Sequence, residues 1–204
     1  FLIKKRVKRM SSLRQKLSLG LGGLLAVILV ISILSILQLT RLGESIDVIL
    51  RENYRSVIAC QDMKEALERM DSGILFSLLG YSEKGDALIH KNDQAFDGAL
   101  RVELNNITLP GEGEKATHLQ ELFKKYRSVL RDVADSKKSI ATRKTAYFTE
   151  LLPLFEEIKG TADEILKMNQ QNMSEANDRA RQRATSAKER MYILLFVGTI
   201  VAIG

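Results

Sequence analysis

Four kinds of residue are scarce in this chain. It has one cysteine, two prolines, two histidines and no tryptophan in 204 residues. A single Cys60 excludes an internal disulfide; a small buried hydrophobe is the expected role of such a residue. With only Pro110 and Pro153, almost nothing interrupts a helix. His90 and His118 stand alone, without partners at metal-ligand spacing, so neither is expected to bind a metal. Clusters of β-branched residues are also few, and apolar residues recur at steps of three and four rather than two, which argues for an all-α chain. No phosphate-cradling loop, no nucleophile beside a base and no Cys/His cluster occurs, so no catalytic or metal-binding residue is assigned.

Acidic residues are absent from the first 16 positions, where Lys4, Lys5, Arg6, Lys8, Arg9, Arg14 and Lys16 give seven positive charges. The net charge of +6 comes from this segment. From Arg41 to Arg190 the chain holds 24 basic and 25 acidic residues, a net of −1, which does not suit a nucleic-acid partner. Between these regions lies Leu17–Leu39, 23 residues without a charge. About 20 apolar residues at 1.5 Å each cross the hydrocarbon of a bilayer. The run is longer than a signal-peptide core and lacks an A-x-A-like cleavage site, so it reads as an uncleaved anchor. A second apolar run, 191–204, has 14 residues. It is too short to span and is expected to begin a second membrane helix.

These features divide the chain into a basic cytoplasmic N-terminus (1–16), a first transmembrane helix (17–39), a polar insert (40–190) and the start of a second transmembrane helix (191–204). Basic residues beside a membrane helix stay in the cytoplasm, so the insert is expected outside. Arg179, Arg181, Arg183, Lys188 and Arg190 pull the other way, but long loops cross largely regardless of their charge.

Within the insert the spacing predicts four helices. The first continues from Gln38 to about Gly80, with a seam of Leu39, Leu42, Ile46, Ile49, Asn53, Ser56, Cys60, Met63, Leu67, Met70, Ile74, Leu78 and Tyr81. A turn follows at Gly80–Gly85. The second runs from about Asp86 to Asn106, with Leu88, Ala95, Ala99, Val102 and Asn106 on one face and Phe96, Leu100 and Leu104 beside it. The third runs from about Glu114 to about Thr142, with Leu119, Leu122, Tyr126, Val129, Val133, Ser136 and Ile140 in strict 3,4 alternation. The fourth starts near Leu152, with Pro153 in its first turn, and carries Phe155, Ile158, Ala162, Ile165, Asn169, Asn172, Ala176, Ala180, Arg183 and Ala187. Four such helices with short links predict an antiparallel up-down-up-down four-helix bundle. Its first and last helices would continue into the membrane.

Two groups of residues stand out. Asn53, Ser56, Asn169 and Asn172 place polar groups on otherwise apolar faces. A buried Asn fixes register at a cost in stability; alternatively, these residues mark a zone that repacks between signalling states. Arg51, Arg55 and Arg69, with Tyr54, offer guanidinium forks suited to a small anion, and Arg127 and Arg131 could add to such a site. The plainer reading is a solvated face paired with Glu52, Glu65 and Glu68. In the apolar runs, Gly22 with Ala26 and Gly198 with Ala202 are small-residue pairs four apart, which permit close helix packing.

The layout resembles the N-terminal sensory half of bacterial transmembrane histidine kinases. The opening Met10-Ser-Ser-Leu-Arg-Gln-Lys-Leu-Ser-Leu-Gly20 is similar to their entry into the first membrane helix. Glu52-Asn-Tyr-Arg-Ser-Val-Ile-Ala-Cys-Gln-Asp-Met-Lys-Glu-Ala-Leu-Glu-Arg-Met-Asp-Ser-Gly73 resembles the first helix of a KinB-type four-helix sensor domain. Asn106-Ile-Thr-Leu-Pro-Gly-Glu112 is similar to that family's link between helices two and three. The resemblance implies a homodimer in the bacterial inner membrane, a periplasmic sensor domain and a cytoplasmic kinase beyond Gly204 that binds ATP and Mg²⁺ and serves a cognate response regulator. It also marks Asn53, Tyr54 and Arg55 as candidates for a functional helix segment, but supplies no ligand; the arginines leave a small anionic ligand, or else a periplasmic partner, as the expected stimulus. A methyl-accepting chemotaxis receptor shares the architecture and is the alternative.

Overall fold

The computed structural model describes residues 13–203, with the side chains of 13–17, 19, 38, 39, 41, 42, 44–50 and 201–203 outside the description. Lys4, Lys5, Arg6, Lys8 and Arg9 therefore lie outside the described residues, and the side chains of Arg14, Lys16 and the seam positions Leu39, Leu42, Ile46 and Ile49 outside the description. The chain is all-α, with no strand among the described residues. Its helices are α1 (Leu13–Leu78), α2 (Ser82–Leu104), α3 (Glu112–Ala134), α4 (Ile140–Ala146) and α5 (Leu152–Ile203), with a π-helical turn at Tyr147–Leu151 between the last two. They form two compact units, one of Phe1–Ile46 with Asp178–Gly204 and the other of Asp47–Asn177.

In the first unit, Gly20–Leu37 is long and apolar enough to cross a membrane, and none of it is buried. The end of α5 lies antiparallel to it. Ser35 meets Met191 at 3.5 Å, and a Cβ on Gly198 would stand 3.5 Å from Val27. Leu25, Ile28, Ile33, Leu194, Phe196 and Ile200 point outward and exposed. An apolar surface of that extent is foreign to a protein in water.

The second unit has the core. Ser56, Cys60, Met63, Leu67, Met70 and Ile74 of α1 are buried as their spacing predicts. The seam ends there, because Leu78 is half-buried and Tyr81 exposed. Phe96 of α2 stacks on Phe123 of α3, with ring centroids 3.7 Å apart. Ion pairs join the remaining neighbours: Lys64 to Asp163 and Glu68 to Lys159 between α1 and α5, and Lys115 to Glu164 between α3 and α5. Such pairs are partly exposed and contribute about 1 kcal/mol or less each; the buried apolar faces hold the helices together.

Helix α1 ends on Gly80, whose φ of +93° is costly for any residue with a Cβ. The Tyr81 N–H donates to Phe76 and the Gly80 N–H to Ser77, a Schellman stop. The predicted turn at Gly80–Gly85 is shorter than expected, since α2 begins at Ser82. Gly85 lies inside α2 because of packing. A Cβ there would stand 2.5 Å from the Gly73 carbonyl oxygen, and one on Gly73 would stand 2.9 Å from that of Gly85. The two glycines let α1 and α2 touch backbone to backbone. Gly85→Ala will therefore lower stability by about 1–3 kcal/mol, although alanine is the better helix former. Gly98→Ala on the same helix meets open space and will raise stability by up to about 1 kcal/mol. Thermal melts of the two variants, moving in opposite directions, check the close approach.

The third and fourth helices differ from expectation at their boundary. Helix α3 stops at Ala134; Asp135 is extended, and its carboxylate accepts the Lys137 N–H at 3.0 Å. Ser139 then caps α4 by accepting the Thr142 N–H at 3.2 Å. Ser136 and Ile140, placed on the α3 seam by periodicity, are exposed, and Val129 is only half-buried. The buried apolar set is Ala116, Leu119, Leu122, Phe123, Tyr126, Leu130 and Val133, of which Leu119, Leu122, Tyr126 and Val133 are predicted. From Ile140 the chain stays helical into α5, so Pro153 does not sit at a helix start. Proline has no N–H for the carbonyl four residues earlier and clashes with it, and the π-helical turn just ahead absorbs this mismatch. The turn also buries Tyr147, whose hydroxyl donates to Asp71 at 2.9 Å. Arg143 is buried as well: its guanidinium donates to the Val133 carbonyl at 2.6 Å and to Ser77 Oγ at 2.7 Å. That places a cation at the C-terminal end of α3, where the helix dipole favours one.

Candidate functional site

Polar residues collect in the core of the second unit where α1, the α2–α3 link, α3 and α5 meet. Asn53 and Ser56, three apart, share the inner face of α1 one turn before Cys60, and both are buried. Asn106, just past α2, donates to the Glu52 carbonyl at 2.8 Å and to Ser56 Oγ at 2.9 Å. Thr108 Oγ1 donates to Asn53 Oδ1 at 3.3 Å. The link then makes a tight reversal at Leu109-Pro110-Gly111-Glu112. Gly111 has φ +82°, and the Glu112 N–H returns to the Leu109 carbonyl at 3.2 Å, which is a type II turn with Pro and Gly in their favoured places.

That turn aims Glu112 inward. Its carboxylate accepts the Thr108 N–H at 2.6 Å, the Leu109 N–H at 2.9 Å and Asn169 Nδ2 from α5 at 2.6 Å. It sits in the first turn of α3, where the helix dipole favours negative charge. Asn169 also donates to the Ile165 carbonyl at 3.0 Å. One carboxylate thus ties the link, α3 and α5 together, and Asn106 ties the link to α1.

Glu103 completes the cluster from the last turn of α2. It is 0% exposed, and neither of its oxygens has a hydrogen-bond partner. Ser56 and Glu112 approach it without making a bond of ordinary geometry. Burial pushes its carboxyl up to about 7; Ser56 opposes the shift and Glu112 reinforces it. Asn53 Nδ2 and Asn169 Oδ1 are buried without partners too. Burial first, then Glu103 and Glu112, drive the Cys60 thiol far above its ordinary range; a thiolate there is excluded at physiological pH.

Three of the four polar seam residues foreseen in the sequence, Asn53, Ser56 and Asn169, belong to this cluster. Asn172 is half-buried. Glu103, Glu112 and Thr108 were not singled out. Glu103 was findable: it lies seven residues after Phe96 and three after Leu100, on the stripe those residues bury.

The arginines are distributed differently. Arg51, Tyr54 and Arg55 are exposed on one stretch of α1, with Tyr54 at 58%. Arg69 is fourteen residues further along the helix and pairs with Glu65 at 3.5 Å. Arg127 faces α2 and is already engaged by Asp93 at 2.5 Å and Asp97 at 3.3 Å; Arg131 bonds the Arg127 carbonyl. Three of the five guanidiniums therefore have protein partners, and Arg51 with Arg55 remain beside Tyr54. A shallow groove between α3 and α5 is lined by Glu114, Lys115, His118 and Glu157, where Lys115 pairs with Glu164 and His118 with Glu157. No group of side chains suited to a metal occurs among the described residues.

No protein-family model, no curated protein and no solved structure matches the chain.

Proposed function

We propose that this chain is the sensor and transmembrane region of a bacterial two-component histidine kinase. In this reading the second unit is an antiparallel up-down-up-down four-helix bundle in the periplasm, and its first and last helices continue into two helices of the inner membrane. The protein works as a homodimer. A stimulus changes how the bundle packs, α1 and α5 shift by about an ångström or two, and the shift reaches a cytoplasmic kinase. That kinase, not these residues, would bind ATP and Mg²⁺ and phosphorylate a response regulator.

The supporting observation is the composition of α1 and α5. Each carries an apolar run and a face of the packed core, and the two are joined by Lys64–Asp163 and Glu68–Lys159. They also supply Asn53, Ser56 and Asn169 to the polar cluster, so a change there acts on both levers. Arg51, Tyr54 and Arg55 are the candidate surface for a small anion or a periplasmic partner.

The test is a chimera in which residues 1–204 replace the sensor of a histidine kinase with measurable autophosphorylation. Paired cysteines at Lys64 and Asp163, in a Cys60→Ala background, then lock α1 to α5. Oxidation is expected to move kinase activity several-fold, reversibly with reductant. A fully cross-linked chimera with unchanged activity would refute the lever. The same chimera built on a chemotaxis receptor tests the alternative.

A further inference from the structure

Glu103 is a wholly buried carboxyl with neither oxygen in a hydrogen bond. The groups around it come from every helix of the cluster: Ser56 and Cys60 from α1, Glu112 from α3, and Asn169 from α5 through its bond to Glu112. None of these is a cation. Lys64 of α1 is within electrostatic reach of Cys60, but Asp163 of α5 holds it at 2.5 Å. An ionised Glu103 would have only the approaching Ser56 hydroxyl as a donor, no counter-charge and a second carboxylate beside it. Two carboxyl groups in one buried site do not both ionise without a large penalty.

Glu112 accepts three well-formed hydrogen bonds, whereas Glu103 accepts none and has only the Ser56 hydroxyl nearby, so the proton belongs on Glu103. There it removes the like-charge contact and supplies an O–H donor to a cluster rich in acceptors. Resting on the sensing role proposed above, we infer that Glu103 is a proton-binding site and that the stimulus this region reads is acidity outside the membrane. With the proton bound, Glu103 is neutral and the cluster closes. When the O–H bond breaks and the proton leaves to water, the negative charge stays buried beside Glu112. The cluster must then admit water, and the α1 and α5 contacts built on Asn53, Ser56 and Asn169 loosen.

The carboxyl's position at about 7 puts this transition near neutrality. Because the folded state raises this carboxyl above its unfolded value of 4.5, its contribution to stability is whole below that value. It declines as pH rises and is lost once pH passes about 7.

The experiment uses the whole chain, residues 1–204, in lipid nanodiscs. Difference infrared spectra between about pH 5 and about pH 9 follow the protonated carboxyl band, with melting temperature on the same samples. The parent should show a band that titrates near neutrality and a melting temperature that falls across the same range. Glu103→Gln, which keeps shape and neutrality, should lose both the band and the pH dependence while staying folded at the higher pH. Glu112→Gln should move the titration downward, since it removes the like charge. A carboxyl that titrates below about pH 5, or a Glu103→Gln variant that keeps the pH dependence, overturns the proton site. Oxidation of the Lys64/Asp163 cysteine pair is followed in parallel. Because the thiolate fraction itself rises with pH, the readout is the rate relative to the same cysteine pair in a Glu103→Gln background. If that ratio does not change with pH although the band titrates, acidity is not the stimulus. The kinase chimera tests the sensing role by itself, so the two failures are distinguishable.

Discussion

Replacing Glu112 with alanine will lower the stability of the packed unit by about 3 kcal/mol, roughly 10 °C in melting temperature for a unit of this size. The carboxylate accepts three hydrogen bonds, two from the backbone of the link and one from Asn169. Bonds to a charged group are worth about 1.5–3 kcal/mol each. The Thr108 and Leu109 N–H groups are only partly buried and recover some of this from water, whereas Asn169 is wholly buried and cannot. Removing the neighbouring charge also relieves Glu103, but a cost shared between two carboxyls is smaller than three lost bonds. Glu112→Gln should cost less, about 1 kcal/mol. Its amide oxygen can serve the link, and its NH₂ can serve Asn169 Oδ1, which has no partner now, if the Asn169 amide turns over. An alanine variant that melts with the parent would show that the carboxylate does not close the link.

The ease of reading each helix from sequence follows from how many of its faces are buried. Helix α1 buries a stripe at constant 3,4 stepping, with Val57, Ala59 and Ala66 buried beside it, and every described seam position from Asn53 to Ile74 is buried. The polar members were visible because they interrupt that stripe. Helix α2 misled because it carries small residues on several faces. Ala95 and Ala99 look equivalent in a pattern, yet the bulk of Phe96 decides which face turns inward: Ala99 and Leu100 are buried and Ala95 is exposed. With the face set by alanines, the predicted stripe takes in Val102 and passes over Glu103. The end of α3 misled for another reason. Its heptad pattern runs on past Asp135, but Asp135 and Ser139 give the backbone side-chain partners that compete with helix. Nothing local marks Arg143 as buried. Its partners are Val133 and Ser77, ten and sixty-six residues away, and such a site exists only once the helices have met.

On α3 the predicted stripe buries Leu119, Leu122, Tyr126 and Val133 but leaves Val129 half-buried, which separates two substitutions that the alternation alone would rank the same. Leu122→Asp puts a carboxylate on a side chain 2% exposed, inside the contiguous core. It loses the leucine's packing, about 2–5 kcal/mol, and adds an unpaired buried charge worth several more. That sum is comparable with the whole stability of a domain, about 5–15 kcal/mol, so the unit will unfold. Val129→Asp, in the middle of the predicted seam, sits at the rim, where the carboxylate reaches water; it will cost only about 1–2 kcal/mol. Helix content is a poor readout, because the apolar runs stay helical in detergent. Cys60 is a better one: it is the chain's only thiol and is 0% exposed. Alkylation by a maleimide should be slow in the parent and in Val129→Asp, and fast in Leu122→Asp. Equal rates in the two variants would return Val129 to the core.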